Sequence, residues 1–150
     1  MKDRLVWIDC EMTGLSLEKD ALIEVAALVT DYELNVLGDG VDLVIKPPPA
    51  ALEQMNEVVT RMHTSSGLLD ELDSGRTLRE VEEQVLAYVR EFVPEPRKAP
   101  LAGNTIGTDR TFLARDMPEL EVVRDVLGGV SPCAKTGSAV TGAVRRDVRG

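Results

Sequence analysis

Leu5-Val-Trp-Ile-Asp-Cys-Glu-Met-Thr-Gly-Leu15 is an apolar run that ends in two carboxylates two residues apart. Leu5 to Ile8 is rich in β-branched and aromatic residues and apolar on both faces, as buried strands of α/β sheets are. Side chains alternate along a strand, so Asp9 and Glu11 share a side and Cys10 takes the other. Two carboxylates held that close repel and lose hydration, which a divalent ion between them would offset. An all-oxygen donor pair, without thiolate or nearby imidazole, favours magnesium or manganese over zinc. The spacing has a plainer reading as well, in which Asp9 and Glu11 close a strand end before a turn at Thr13-Gly14.

The rest of the chain reads as one α/β domain. It has 150 residues, 43% of them apolar, enough for one core. No run approaches the roughly 18 apolar residues of a membrane helix, and the N-terminus lacks a signal-peptide pattern, so a cytoplasmic location is expected. Cys10 and Cys133 are too few for a disulfide framework, which makes Cys10 a free, mostly buried thiol. The formal charge of −9 argues against electrostatic capture of long nucleic acid, but not against a short, metal-bridged phosphate ligand. That charge is uneven. Residues 1–121 hold 12 basic and 24 acidic side chains, and residues 122–150 hold 5 and 2.

Asp20 to Thr30 predicts a second strand, with Ile23, Val25, Ala27 and Val29 on one face and Glu24 interrupting the other. Glu24 is either an outward or edge residue or an outer partner of the acidic pair. Leu34 to Ile45 predicts a third strand bent at Gly38-Asp39-Gly40, ended by Pro47-Pro48-Pro49. From Ala50 the period changes. Leu52, Met55, Val59 and Met62 form one helical stripe, predicting a helix broken near Gly67, and Leu68, Leu69 and Leu72 continue a second short apolar face. His63, the single histidine, is either a hydrogen-bonded structural residue or a ligand contact. Thr77-Leu-Arg-Glu80 is a capping box that opens the clearest helix, whose buried stripe is Leu78, Val81, Val85, Val89 and Phe92 and whose stop is Pro94 with Pro96. Ala99 to Gly103 predicts a short strand feeding a helix in which Asp109, Phe112, Leu113 and Asp116 share a stripe. The helix dipole alone can account for Asp109, but an acid on an apolar stripe also needs a partner, which a metal shared with Asp9 and Glu11 would supply. Asp116 reads as a solvated helix-end residue.

Three acids from two strand ends, Asp9, Glu11 and Asp109, suggest a two-metal phosphodiesterase site. Trp7 to Leu15, Ile23 to Asp31, His63-Thr-Ser-Ser-Gly-Leu68 and Gly103 to Glu121 closely resemble the oligoribonuclease family, 3′-to-5′ exoribonucleases of the DEDD group. The resemblance covers residues 4–121. Glu-Met-Thr-Gly after the first Asp sets it apart from polymerase proofreading exonucleases, which usually read Glu-Thr-Thr-Gly there. It implies a ribonuclease H-like mixed sheet flanked by helices, and two magnesium or manganese ions. Asp9 would bridge both ions, Glu11 would hold the ion that activates the attacking water, and Asp109 would place the ion on the leaving-group side. Leu15 matches a residue that wedges against the bases, and His63 and Thr105 match positions lining the short-RNA site. The implied substrates are RNAs of a few nucleotides, dinucleotides above all, and the implied assembly is a homodimer.

Past Glu121 the resemblance stops. The family continues with a strand, a helix and a His-x-x-x-x-Asp segment that supplies a general base and the last metal ligand, whereas residues 122–150 contain no histidine. Rich in Val, Gly, Ala and Arg, this stretch resembles an out-of-frame or unrelated extension, or else a flexible tail. The expectation is therefore an incomplete exonuclease domain over residues 1–121, C-terminally truncated, followed by an atypical tail that is disordered or non-native. Two other functions fit the same residues: a non-catalytic module that binds metal and nucleotide, and a DEDD-group exonuclease acting on DNA ends.

Overall fold

The computed structural model describes residues 4–94, 101–102 and 106–123; within the last two stretches, side chains are described only for Thr108 and residues 110–120. Thr105 and the tail from residue 124 lie outside it, as does the side chain of Asp109. Four strands form one mixed sheet in the order β3-β2-β1-β4. β1 (Arg4–Met12) and β2 (Leu22–Asp31) are antiparallel, as are β2 and β3 (Val36–Val44), while β4 (Leu101–Ala102) runs parallel to β1. β1 is longer than its apolar run suggests, so Asp9 and Glu11 lie inside the strand.

Alternation along β1 divides the sheet's two faces. Val6, Ile8, Cys10 and Met12 join Leu22, Val25, Ala27 and Val29 of β2 in the main core. Over them pack α4 (Leu78–Phe92), through Val81, Val85, Leu86 and Val89, and α5 (Ile106–Asp116), through Phe112 and Leu113. Each such side chain contributes roughly 1.5–3 kcal/mol on burial. Thr77 caps α4 as its sequence predicts, its hydroxyl accepting from the Glu80 amide at 3.2 Å. On the opposite face Trp7 and Leu28 pack together with Leu5, and the Trp7 indole donates to the Thr30 hydroxyl at 2.9 Å.

Two irregularities break the simple alternation. Between Glu11 and Met12 the β1–β2 register shifts, so that Glu11 faces Glu24 but Met12 faces Leu22. Ile23 is the extra residue. It leaves the face expected for it and packs instead with Leu68 and Leu72. The second shift, between Ala27 and Val29, meets the bend predicted in β3, where Gly38 and Gly40 have positive φ. There the Tyr88 hydroxyl accepts from the Val29 amide at 2.9 Å and donates to the Leu37 carbonyl at 2.7 Å, satisfying groups the ladder leaves out.

The stripe from Leu52 to Met62 is carried by two helices, α1 (Pro49–Glu53) and α2 (Glu57–Ser65), separated where Asn56 caps α2 by accepting from Val59 N at 2.8 Å. A side-chain oxygen at that position competes with continued helix and starts a new one. The break expected near Gly67 is present: Gly67 has φ 80° ahead of α3 (Leu68–Glu71). Asp116 departs from the expectation of a solvated residue. Its carboxylate accepts from Arg115 at 2.8 and 2.6 Å, and its side chain is only 13% exposed.

Candidate active site

The acids of β1 sit on the sheet face opposite α4 and α5, between the Trp7–Leu28 pair and the cluster around Ile23. Register fixes their neighbours. Asp9 lies across from Ala26, which lies across from Asp42, and Glu11 lies across from Glu24, which lies across from Val44. Directly opposed residues of antiparallel strands share a face with Cβ atoms about 4.5–5.5 Å apart, and like charges so placed repel. Glu24 is only 3% exposed, so it is not the outward residue its sequence allowed; it faces Glu11 from the neighbouring strand. Asp42, which sequence reading passed over two residues beyond the Gly38-Asp39-Gly40 bend, belongs to the same face.

The donor chemistry suits a hard divalent ion, since every acid on this face offers oxygen alone. Among the described residues no three His, Cys, Asp or Glu side chains are grouped to hold a metal. The third expected ligand, Asp109, falls in the first turn of α5, with its side chain outside the described residues.

At the end of β1 the chain opens a cavity of about 250 Å³, lined by Glu11, Gly14 and Leu15 from the strand end, Val59 and Met62 from α2, and Thr108 from α5. Ligand pockets typically begin near roughly 300 Å³, so this space admits only a small group. Its rim is apolar and open. Leu15 is 80% exposed and Met62 52%. Exposed aliphatic side chains gathered at a cavity mark a binding surface rather than scatter. Val59, Met62 and Thr108 were not singled out from sequence, because the α2 stripe reads as a core face.

His63 is 1% exposed, and its Nε2 donates to the Met12 carbonyl at 2.8 Å. The bond ties α2 to the point where β1 leaves its ladder. Leu15 lines the cavity, and Thr105 lies outside the described residues.

No helix of the described residues is long and apolar enough to cross a membrane. The family model described as Exonuclease (RNase_T) matches residues 6–135. Similar curated proteins include the oligoribonuclease of Streptomyces griseus, 77% identical over 121 residues that cover 81% of this chain and 60% of that protein. The oligoribonuclease of Cutibacterium acnes is 67% identical over 117 residues, covering 78% and 58%. The chain thus spans about three-fifths of the length of these relatives. Among solved structures, E. coli exonuclease I in complex with a dT13 oligonucleotide superposes with a TM-score of 0.56 at 18% identity, over 73% of this chain and 22% of that one. Exonuclease I from Methylocaldum szegediense gives 0.53 at 22% identity, over 76% and 24%. At such identities the likeness is one of fold, the ribonuclease H-like mixed sheet flanked by helices. With the family match running from the first core residue of β1 past the end of α5, the chain belongs to the Exonuclease (RNase_T) family.

Proposed function

We propose that this chain forms the metal-binding and substrate-binding part of a 3′-to-5′ exoribonuclease that releases mononucleotides from RNAs of a few nucleotides, dinucleotides above all. One observation carries the reading: Asp9 and Glu11 share a sheet face at the end of β1, and Glu11 opens directly onto a small cavity with an apolar rim. Likeness to oligoribonucleases supports the choice of short RNA over other substrates.

Asp9, Glu11 and Asp109 would hold two divalent ions, magnesium or manganese, with Glu24 as an outer partner of Glu11. Such ions supply an activated water at neutral pH and neutralise charge on the phosphate under attack. The remaining work falls to the chain's own groups. Leu15 presents an aliphatic face against the bases at the cavity mouth. Val59 and Met62 form the facing wall and keep water from the bound end, His63 holds that wall in place through Met12, and the family resemblance adds Thr105 to the short-RNA site. An acidic surface suits a ligand with one or two phosphates and disfavours a long backbone, which needs many cationic contacts. A homodimer, as in the family resemblance, fits this reading.

The general base belongs to a segment without counterpart in these residues, since His63 is the sole histidine and is held in the fold by Met12. A positioned base contributes about 10²–10⁴ in rate, so these 150 residues alone should hydrolyse a ribodinucleotide far more slowly than a family member of full length. The test is release of mononucleotide from a labelled ribodinucleotide with manganese, for this chain and for the same chain carrying a family-type segment after Glu121. Activity restored by the segment supports the reading. No activity in either form, with dinucleotide still bound, would favour a non-catalytic binding module, and preference for a deoxyribodinucleotide would favour an exonuclease acting on DNA ends.

A further inference from the structure

The turn that presents Leu15 is closed by a single carboxylate. Asp20 Oδ1 accepts from the Thr13 hydroxyl at 2.8 Å, and Oδ2 accepts from the Ser16 amide at 2.9 Å. The Thr13 hydroxyl in turn accepts from Ala21 N at 3.0 Å, and Thr13 N donates to Ala21 O at 3.0 Å. Asp20 N returns to Ser16 O at 2.8 Å. The carboxylate therefore grips both ends of the Thr13–Ser16 turn, with Gly14 and Leu15 between. Gly14 is packed against it: a Cβ added there would lie 2.4 Å from Asp20 Oδ2. Two further side chains brace the same loop from outside, Arg115 of α5 donating to the Leu17 carbonyl and Gln54 after α1 donating to the Lys19 carbonyl. Arg115 is itself held by Asp116.

Leu15 at the tip is 80% exposed, so packing does not hold it in place. Its direction over the cavity is set by the backbone that carries it. An apolar group that must meet a base in one orientation gains affinity when the loop is ordered before binding, because the ordering is then not charged against the complex.

We propose that Asp20 is a positioning residue for substrate selection: by closing the Thr13–Ser16 turn it fixes Leu15 as a rigid wedge for the terminal base step of a short oligoribonucleotide. The proposal rests on the short-RNA reading above and adds the residue that makes the wedge rigid. Asp20 touches no substrate and acts through Leu15. Its effect is therefore on binding, and it depends on Leu15 being present.

The test combines equilibrium binding of a labelled ribodinucleotide with magnesium, amide hydrogen exchange of the ligand-free chain, and melting temperature, for wild type, Asp20→Ala, Asp20→Asn, Leu15→Ala and the Asp20→Ala/Leu15→Ala double variant. Asp20→Ala should weaken binding roughly tenfold, as expected for a few residues left to be ordered on binding. It should also speed exchange at the Ser16 and Ala21 amides while Val25 to Val29 stay protected. Asp20→Asn keeps one acceptor and should recover part of the affinity. In the Leu15→Ala background the further loss from Asp20→Ala should be under about twofold, the mark of coupled residues. Unchanged exchange at Ser16 and Ala21 overturns the role of Asp20 whatever the ligand. Equal losses with and without Leu15 show that Asp20 acts on something else and also overturn it. A wild-type chain that binds no ribodinucleotide overturns the short-RNA reading and the wedge with it, an outcome distinct from either.

Discussion

Replacing His63 by phenylalanine separates the two roles that a lone histidine near a binding site can have. The ring is 1% exposed and its Nε2–H donates to the Met12 carbonyl at 2.8 Å, where β1 passes its register shift. Phenylalanine fills nearly the same volume but cannot donate, so the carbonyl is left buried without that donor. Such an orphaned group costs about 1–3 kcal/mol. For a domain of this size each kcal/mol moves the melting temperature by about 2–4 °C, so the expected loss is about 2–12 °C. The same bond holds α2, and with it Val59 and Met62, against the strand end that carries Glu11. Dinucleotide binding should therefore weaken along with stability, and His63→Gln, which restores a donor, should recover part of both. Thermal unfolding followed by circular dichroism, beside equilibrium binding of a labelled ribodinucleotide, measures the pair. An unchanged melting temperature with binding abolished would refute this reasoning and make the ring a direct ligand contact.

Magnesium or manganese at about 100 times its dissociation constant should stabilise the chain by ~2.7 kcal/mol, and Asp9→Asn should remove most of the corresponding rise in melting temperature; equal metal stabilisation in both chains would reject the site. Tyr88→Phe removes an acceptor for Val29 N and a donor to Leu37 O, and should destabilise by about 1–3 kcal/mol in urea unfolding. Burial holds the Glu82 carboxyl above its ordinary value of 4.5, only partly opposed by its hydrogen bond from Glu119 N. A raised carboxyl favours the protonated folded state, and that stability is present below pH 4.5 and lost as pH rises through the folded value. Glu82→Gln, which can still accept from Glu119 N, should therefore melt higher than wild type at pH 7 and show a smaller difference at pH 4. A difference that grows on acidification would contradict this sign.

What the sequence made legible was local and periodic. The alternation of Leu5 to Glu11 put both acids on one face and Cys10 on the other, the capping box opened α4 at Thr77, and two glycines marked the bend in β3. Each depends on neighbours within a few residues. The missed features depend on partners far along the chain. Met62 and Val59 occupy helical spacing that looks like a core face, yet Met62 faces the cavity, because spacing shows that a stripe is apolar and not what meets it. Glu82 was not singled out from sequence, and its buried carboxylate is met by the Glu119 amide of the 3-10 helix Pro118–Val123 over a separation of 37 residues. Asp116 looks like a solvated end for the same kind of reason, its Arg115 partner being free in sequence terms to point anywhere.

One irregularity accounts for more of the site than any single side chain. A perfect β1–β2 ladder continued past Glu11 would pair Met12 with Ile23 and keep Ile23 on the main core face. The shift to Leu22 turns Ile23 toward Leu68 and Leu72, which draws α3 beneath the end of the sheet, and α2 reaches the same strand end through His63 and Met12 O. It also brings Thr13 beside Ala21, so that the chain between them folds back under Asp20 and lifts Leu15 over the cavity. Bulges locally raise twist and re-aim the residues that follow them, and they gather where a strand gives way to a binding site. Acid pair, apolar wall and Leu15 thus meet at one point because β2 carries one residue more than β1 across the shift. Deleting Ile23 would restore simple pairing with Leu22 still opposite Met12, but would remove the side chain that packs against Leu68 and Leu72. The arrangement of the site is written in that count of residues, which no residue type announces.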